Sequence, residues 1–435
     1  MKYRLSCLML ILFDFIVITF CLTLAYYTTL FCLDKSLQPI WLFSQNYSIY
    51  LIILLMLTYE GIYSKRFDFW HESHRILKAL TFSFLLVLSL EALTNSFAQY
   101  SKTLIVLTFI YLILVMPLSK YVVKHYLFSI NLWKREAKIY GDDEFLKNEI
   151  FKNKYLGYVE SEKDDVKTVF INSNALNTEE LKLSLEQETK LAKEVLFIPI
   201  INDYNLSQST IYEFMNTRTN MIVLANSLKS KFQLFLQSLF NYTLAICLLP
   251  ILLPAIAILG YFIKKESPGP VFFAHNRIGK NGRLIPTYKF RSMHVDAKER
   301  LEKLLAEDAM LKQEWETNFK LKDDPRVTKV GAFLRKTSLD ELPQIFNVLK
   351  GEMNFVGPRP VVQKELDMYY KEDAEYYNMV KPGITGLWQV SGRSDTDYDF
   401  RIATDKWYVR NWSLWLDIVI LFKTVKVVFF REGAY

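Results

Sequence analysis

The chain has 435 residues, 51% of them apolar and 15% aromatic, with a formal net charge of +7. That length holds two or three domains, and the positive balance suits anionic lipid or phosphate-bearing substrates, with no nucleic acid expected as a partner. Cys7, Cys21, Cys32 and Cys247 lie in apolar runs without CxxC spacing, and the five histidines are scattered; this excludes a disulfide framework and a zinc site, and leaves any metal chemistry to carboxylates and a hard ion such as magnesium.

Four apolar stretches open the chain, at residues 5–33, 47–63, 76–98 and 103–128. They reach or approach the roughly 20 residues that a spanning helix needs. The first follows Lys2 and Arg4, but its apolar core is too long for a signal peptide and no A-x-A site follows, so it reads as a retained anchor. Basic residues cluster at Lys2 and Arg4, at Lys65, Arg66 and Arg75, and at Lys134, Arg135 and Lys138, which predicts that both ends of the bundle are cytoplasmic. Asp14 and Glu91 fall inside apolar runs, where a carboxylate is costly enough to predict polar contacts between helices.

From residue 138 to 226 short apolar segments alternate with polar helical ones. KIYG, YLGYV, KTVFIN, EVLFIPI and MIVLAN are the candidate strands and 177–193 a helix, which predicts a small α/β domain. After KIYG the turn reads Gly141, Asp142, Asp143, Glu144, with no G-x-G-x-x-G. Three acids there would repel a pyrophosphate, so a structural or oligomerising role is expected.

A fifth apolar run, 232–263, contains Pro250 and Pro254 and is flanked by Lys229 and Lys231 before it and Lys264 and Lys265 after it. Positive charge at both ends puts both on the cytoplasmic side. The two prolines are therefore expected to bend the helix into a re-entrant hairpin, with Pro254 at the apex and Pro250 contributing.

Between Val271 and Val295 lie Arg277, Lys280, Arg283, Lys289 and Arg291 and no acid. Lys289 and Arg291 alternate about Phe290, so a strand would face both the same way, towards a phosphate. An amphipathic helix is expected over 296–319. Adjacent carboxylates follow, Asp340 and Glu341, within TSLDELPQIFNVLKGEMNFVGPRP. On spacing alone, Ser338-x-x-Glu341 is a capping box that accounts for both acids. Their company of Arg326, Arg335, Lys336 and the turn Gly357, Pro358, Arg359, Pro360 supports the competing reading, a phosphate and magnesium site. Asp395-x-Asp397 is a rival metal-nucleotide motif of the D-x-D glycosyltransferase kind. Trp407, Trp412 and Trp415 read either as an interfacial anchor or as core.

Taken together, TSLDELPQIFNVLKGEMNFVGPRP, KPGITGLWQVSGR and WYVRNWSLWLDIVILFKT resemble the bacterial sugar transferases that move a hexose 1-phosphate from a nucleotide sugar to a polyprenyl phosphate. The resemblance implies a multi-domain protein of the bacterial inner membrane. It would comprise a four-helix transmembrane bundle (1–134), a Rossmann-like α/β domain lacking a dinucleotide fingerprint (135–228), a re-entrant membrane hairpin (229–265) and a mainly α catalytic domain on the cytoplasmic face (266–435). It further implies that Asp340 attacks the β-phosphate of a UDP-hexose, releasing UMP, and that undecaprenyl phosphate then takes the sugar phosphate. Glu341, with Asp340 beside it, would bind Mg2+. Lys289, Arg291, Arg335, Arg359, Gln389 and Arg393 would be the substrate-binding positions. GLWQVSGRSDTDYDFR and REGAY resemble the galactose 1-phosphate branch, with glucose 1-phosphate or another hexose as the alternative, at the first membrane step of O-antigen, capsule or exopolysaccharide synthesis. A homodimer is expected. The chain departs from the family's pattern at Leu253, where short members have Ser, and at Asn241, where an acid is common. The remaining rivals are a glycosyltransferase, which would release UDP, and a non-catalytic assembly scaffold.

Overall fold

The computed structural model describes residues 2–32, 47–94, 102–141, 143–163, 166–192, 194–199, 206, 209–214, 219–224, 226–307, 324–391 and 397–430. The chain divides into two compact units, Met1–Ile201 and Asn202–Tyr435.

The first unit begins with helices Lys2–Cys32, Tyr47–Tyr59, Phe69–Thr94 and Lys102–Ser129. The first, third and fourth are long and apolar enough to cross a membrane. At 13 residues, Tyr47–Tyr59 spans only about 20 Å, short of a bilayer core of about 30 Å. Leu10, Ile18, Ile53, Leu57, Leu80 and Leu112 pack the bundle interior, while Leu8, Phe20, Leu114 and Val122 face outward. Asp14 finds the polar contact its position demands: its carboxylate lies 2.7 Å from the Lys120 ammonium and accepts the Tyr63 hydroxyl at 2.5 Å. Lys124 and Glu72 form a second buried pair.

A four-stranded parallel sheet follows, order β2-β1-β3-β4, with β1 Arg135–Tyr140, β2 Tyr158–Glu160, β3 Thr168–Asn172 and β4 Glu194–Ile198. All five residues of β3 are buried, as befits a central strand covered on both faces. The expected helix is Thr178–Leu191, started by an Asn177–Glu180 capping box. Gly141 has φ +89°, and a Cβ there would sit 2.7 Å from the Asn172 carbonyl oxygen, so this tight turn admits only glycine. Asp143 is spent as the cap of the next helix, accepting the Leu146 amide. MIVLAN is not a fifth strand of this sheet. Its first three residues end the strand Thr219–Val223 (β6), which pairs antiparallel with Thr210–Phe214 (β5), in the second unit.

The second unit contains the apolar helix Lys231–Glu266, in which Pro250 and Pro254 both lie inside an uninterrupted helical run. Its buried positions Gln237, Asn241 and Ala245, then Ile256, Gly260 and Ile263, recur at helical spacing. Ala245 from one half and Ile256 and Ile263 from the other join a single core with Phe290, Leu334, Ile345, Val356 and Ile420. Asn241 is paired: it donates to the Gln237 carbonyl and accepts the Phe355 amide, both at 2.8 Å. At the other end Glu266 accepts the Lys329 and Val330 amides, capping the helix Lys329–Thr337. Two small sheets complete the unit: β7 Phe272–Ile278 against β8 Leu284–Phe290, antiparallel, and β9 Asn354–Val356 against β10 Gly383–Thr385, parallel. Of the amphipathic helix, Ala297–Glu307 is described; Trp315 and Phe319 lie outside the described residues. Trp412 is core, buried with its indole donating to Asp417, whereas Trp407 and Trp415 are half-buried.

Replacing Lys120 by Met should strand the Asp14 carboxylate in the bundle and cost about 3–5 kcal/mol, whereas adding Asp14→Leu should recover most of that loss. Thermal unfolding of the detergent-solubilised protein reads this directly; a single variant melting like the wild type would refute it.

Candidate active site

The helix Lys329–Thr337 stops at Ser338, whose φ of 57° puts it in the left-handed region and whose amide donates to the Arg335 carbonyl. A serine there costs on the order of 1 kcal/mol. The capping box is not formed: the Ser338 side chain caps nothing, and Glu341 does not reach back to it. Instead residues Leu339–Gln344 make a 3-10 turn, in which Leu339 and Leu342 pack on the core and Asp340 and Glu341 are left for other partners.

Their partner is Lys289, near the end of β8. Its ammonium donates to Glu341 at 2.7 Å and lies 3.7 Å from Asp340. The two side chains are only 16% and 21% exposed. Burial, reinforced by the neighbouring Glu341 charge, holds the Asp340 carboxyl above the usual aspartate value against the pull of Lys289. For Glu341 burial acts in the same upward sense, but Lys289 and then Arg359 outweigh it and hold that carboxyl below the usual value. Two adjacent acids thus have divided affinities for a proton.

A cleft opens beside them. One face of the β7–β8 hairpin supplies Phe273, His275 and Arg277 from one strand and Thr287 and Lys289 from the other, every second residue in each, with Phe273 opposite Lys289 and His275 opposite Thr287. Partial desolvation, then the Arg277 charge, lower the proton affinity of the His275 imidazole. Arg359 and Pro360 close another side. They are set by backbone alone: the Gly357 amide donates to the Thr385 carbonyl at 3.0 Å, and the Gly383 amide to Pro358 at 2.9 Å. A Cβ on Gly383 would fall 2.1 Å from the Gly357 nitrogen, so the K-P-G and G-P-R turns touch only because both are glycine.

Of the residues expected from sequence, Lys289, Glu341, Arg359 and Gln389 line the cleft, with Asp340 adjacent. Arg291 does not. It follows the last residue of β8, and its guanidinium is spent on the carbonyls of Ser267 and Pro268, at the end of the apolar helix. Arg335 donates to the Ser292 hydroxyl at 2.9 Å, and its charge is felt at Asp340. Arg393 and Asp395 lie outside the described residues, and Asp397 is a helix cap, accepting the Phe400 amide. Sequence reasoning missed His275, Thr287, Gln344 and Ile384; alternation along β7 and β8 was the available signal for the first two. The Thr287 hydroxyl and the side-chain oxygens of Gln344 and Gln389 line the cleft, each buried with no hydrogen-bond partner among the described residues. Three orphaned acceptors converging on a basic cleft are what a polyhydroxylated, anionic ligand satisfies.

Comparison with known proteins identifies the family. The bacterial sugar transferase family matches residues 232–431. The undecaprenyl-phosphate galactose phosphotransferase of Salmonella typhimurium is 37% identical over 404 residues, covering 86% of this chain and 84% of its own. The UDP-galactose-lipid carrier transferase of Erwinia amylovora is 35% identical over 405 residues, with coverage of 86% and 84%. The UDP-glucose:undecaprenyl-phosphate glucose-1-phosphate transferase of Escherichia coli is 35% identical over 277 residues, 62% of this chain and 56% of its own. With the matched region containing the paired carboxylates, their lysine and the glycine-set arginine, the chain belongs to the bacterial sugar transferase family.

Proposed function

We propose that this protein transfers a hexose 1-phosphate from a UDP-hexose to undecaprenyl phosphate, with Asp340 as the nucleophile. The observation that carries the reading is the pair Asp340 and Glu341, divided in proton affinity and held by Lys289 at a cleft that Arg359 also lines. Asp340 attacks the β-phosphorus, forming an acyl phosphate and breaking the bond to the α-phosphate oxygen, which leaves as UMP. The lipid phosphate then attacks the same phosphorus and returns the Asp340 carboxylate. Lys289 and Arg359 offset the charge that accumulates on the phosphate oxygens.

Magnesium fits this donor set. It is commonly held by one or two carboxylates together with substrate phosphates, and Glu341, with Asp340 beside it, would hold it while it neutralises phosphate charge. Galactose is favoured as the sugar, because two relatives named for galactose match over 86% of this chain whereas the two named for glucose match over 63% and 62% of it. We further propose that the apolar helix enters and leaves on the cytoplasmic side. Lysines flank it at both ends, and both its halves pack into one core.

Asp340→Asn should lower transfer by about a thousandfold or more, with UMP, not UDP, as the nucleotide released by the wild type; undiminished transfer by the variant would sink the mechanism. A panel of UDP-sugars in the same assay should show UDP-galactose preferred. Because Asp340 must be ionised to attack and its affinity for a proton is raised, activity should rise with pH through a value above that of ordinary aspartate. Lys289→Met removes a charge that favours the anion, so the acid limb of kcat/KM should move to higher pH; a limb that moves down or stays put would contradict this. Single cysteines at Lys231 and Lys265 should both react with an impermeant thiol reagent only from the cytoplasmic side of inverted vesicles, and opposite accessibility would mean that the helix spans.

A further inference from the structure

Lys381 begins the K-P-G turn ahead of β10. Its carbonyl packs behind the G-P-R turn, 2.5 Å from where a Cβ on Gly357 would lie. Its ammonium reaches a separate place. A Cβ on Gly351 would lie 3.7 Å from Lys381 Nζ and 2.8 Å from the Tyr242 hydroxyl, so both polar groups sit beside this glycine, whose φ is +73°. Neither group has a hydrogen-bond or ion-pair partner among the described residues.

Lys381 is half-buried, and the charge that reaches it is another cation: Lys280, in the turn between β7 and β8 and also half-buried. Burial, and then Lys280, lower the proton affinity of Lys381. Two cations partly withdrawn from water, with no counter-charge paired to either among the described residues, cost free energy, and a bound anion offsets that cost. Tyr242 indicates where the anion comes from. It sits on the apolar helix Lys231–Glu266 with its ring exposed, between Leu239 and Ile246, which are also exposed. A tyrosine on a lipid-facing helix places its hydroxyl at headgroup level.

We propose that Lys381 and the Tyr242 hydroxyl, side by side at Gly351, bind the phosphate of a lipid headgroup at a site apart from the catalytic cleft, with Lys280 adding its charge. None of these four residues lines that cleft. The hydroxyl donates to a phosphate oxygen, and the two ammonium groups balance its charge. The site does not depend on which sugar is transferred or on the identity of the nucleophile.

The test uses the full-length protein in nanodiscs of phosphatidylcholine, with or without phosphatidylglycerol. Amine acylation of Lys381 in the wild type, followed by mass spectrometry, should be roughly tenfold slower with phosphatidylglycerol present, the effect of one charge-assisted contact. Native mass spectrometry should show phosphatidylglycerol retained by the wild type and by Lys381→Arg but lost from Lys381→Gln. Equal acylation in both lipids would overturn the site without recourse to any variant. Equal protection by inorganic phosphate in pure phosphatidylcholine would overturn the lipid headgroup as its ligand. Retention of phosphatidylglycerol by Lys381→Gln at the wild-type level would overturn the role of Lys381.

Discussion

Everything in the second unit is arranged around the contact between one ammonium and two carboxylates. Lys289 cannot neutralise both Asp340 and Glu341, and it lies 2.7 Å from one and 3.7 Å from the other. That inequality, set in a place largely removed from water, leaves one acid reluctant to ionise and its neighbour strongly ionised. Neither a lone helix cap nor a simple surface ion pair needs such an arrangement, because exposed pairs gain little from geometry.

The elements that hold the contact are unusually direct. The strand bearing Lys289 also bears Thr287, and the turn bearing the acids is pinned by Leu339 and Leu342 on either side of them. The third element, with Arg359, is positioned by two backbone hydrogen bonds across a glycine contact too close for any side chain. The geometry therefore depends more on main-chain bonding and a few apolar anchors than on the surrounding polar side chains.

What was legible in the sequence follows the range of the forces involved. The long apolar helices could be read from run length, and the helix after Asn177 from its periodicity, because those signals are local. The capping box at Ser338 was a plausible local pattern that lost to a lysine 52 positions away, which no spacing rule reports. Arg291 was assigned by alternation carried one residue past the strand, which ends at Phe290, and there the chain turns the guanidinium to carbonyls instead. MIVLAN was recognised as a strand but not its partner, Thr210–Phe214, since β periodicity says nothing of which strand pairs with which. The orphaned oxygens of Thr287, Gln344 and Gln389 come from three distant segments and become a set only once folded.

Glu266 connects two of these regions. It is the last residue of the apolar helix, and it accepts the first amides of the helix that ends at Ser338, two residues before Asp340. The pair forms a short strut of rigid parts, with nine helical residues between the carboxylate clamp and the strained turn. Glu266 thus fixes the start of the helix whose far end sets the turn of Asp340 and Glu341, so the apolar helix and the two acids are joined through one carboxylate and a continuous run of backbone.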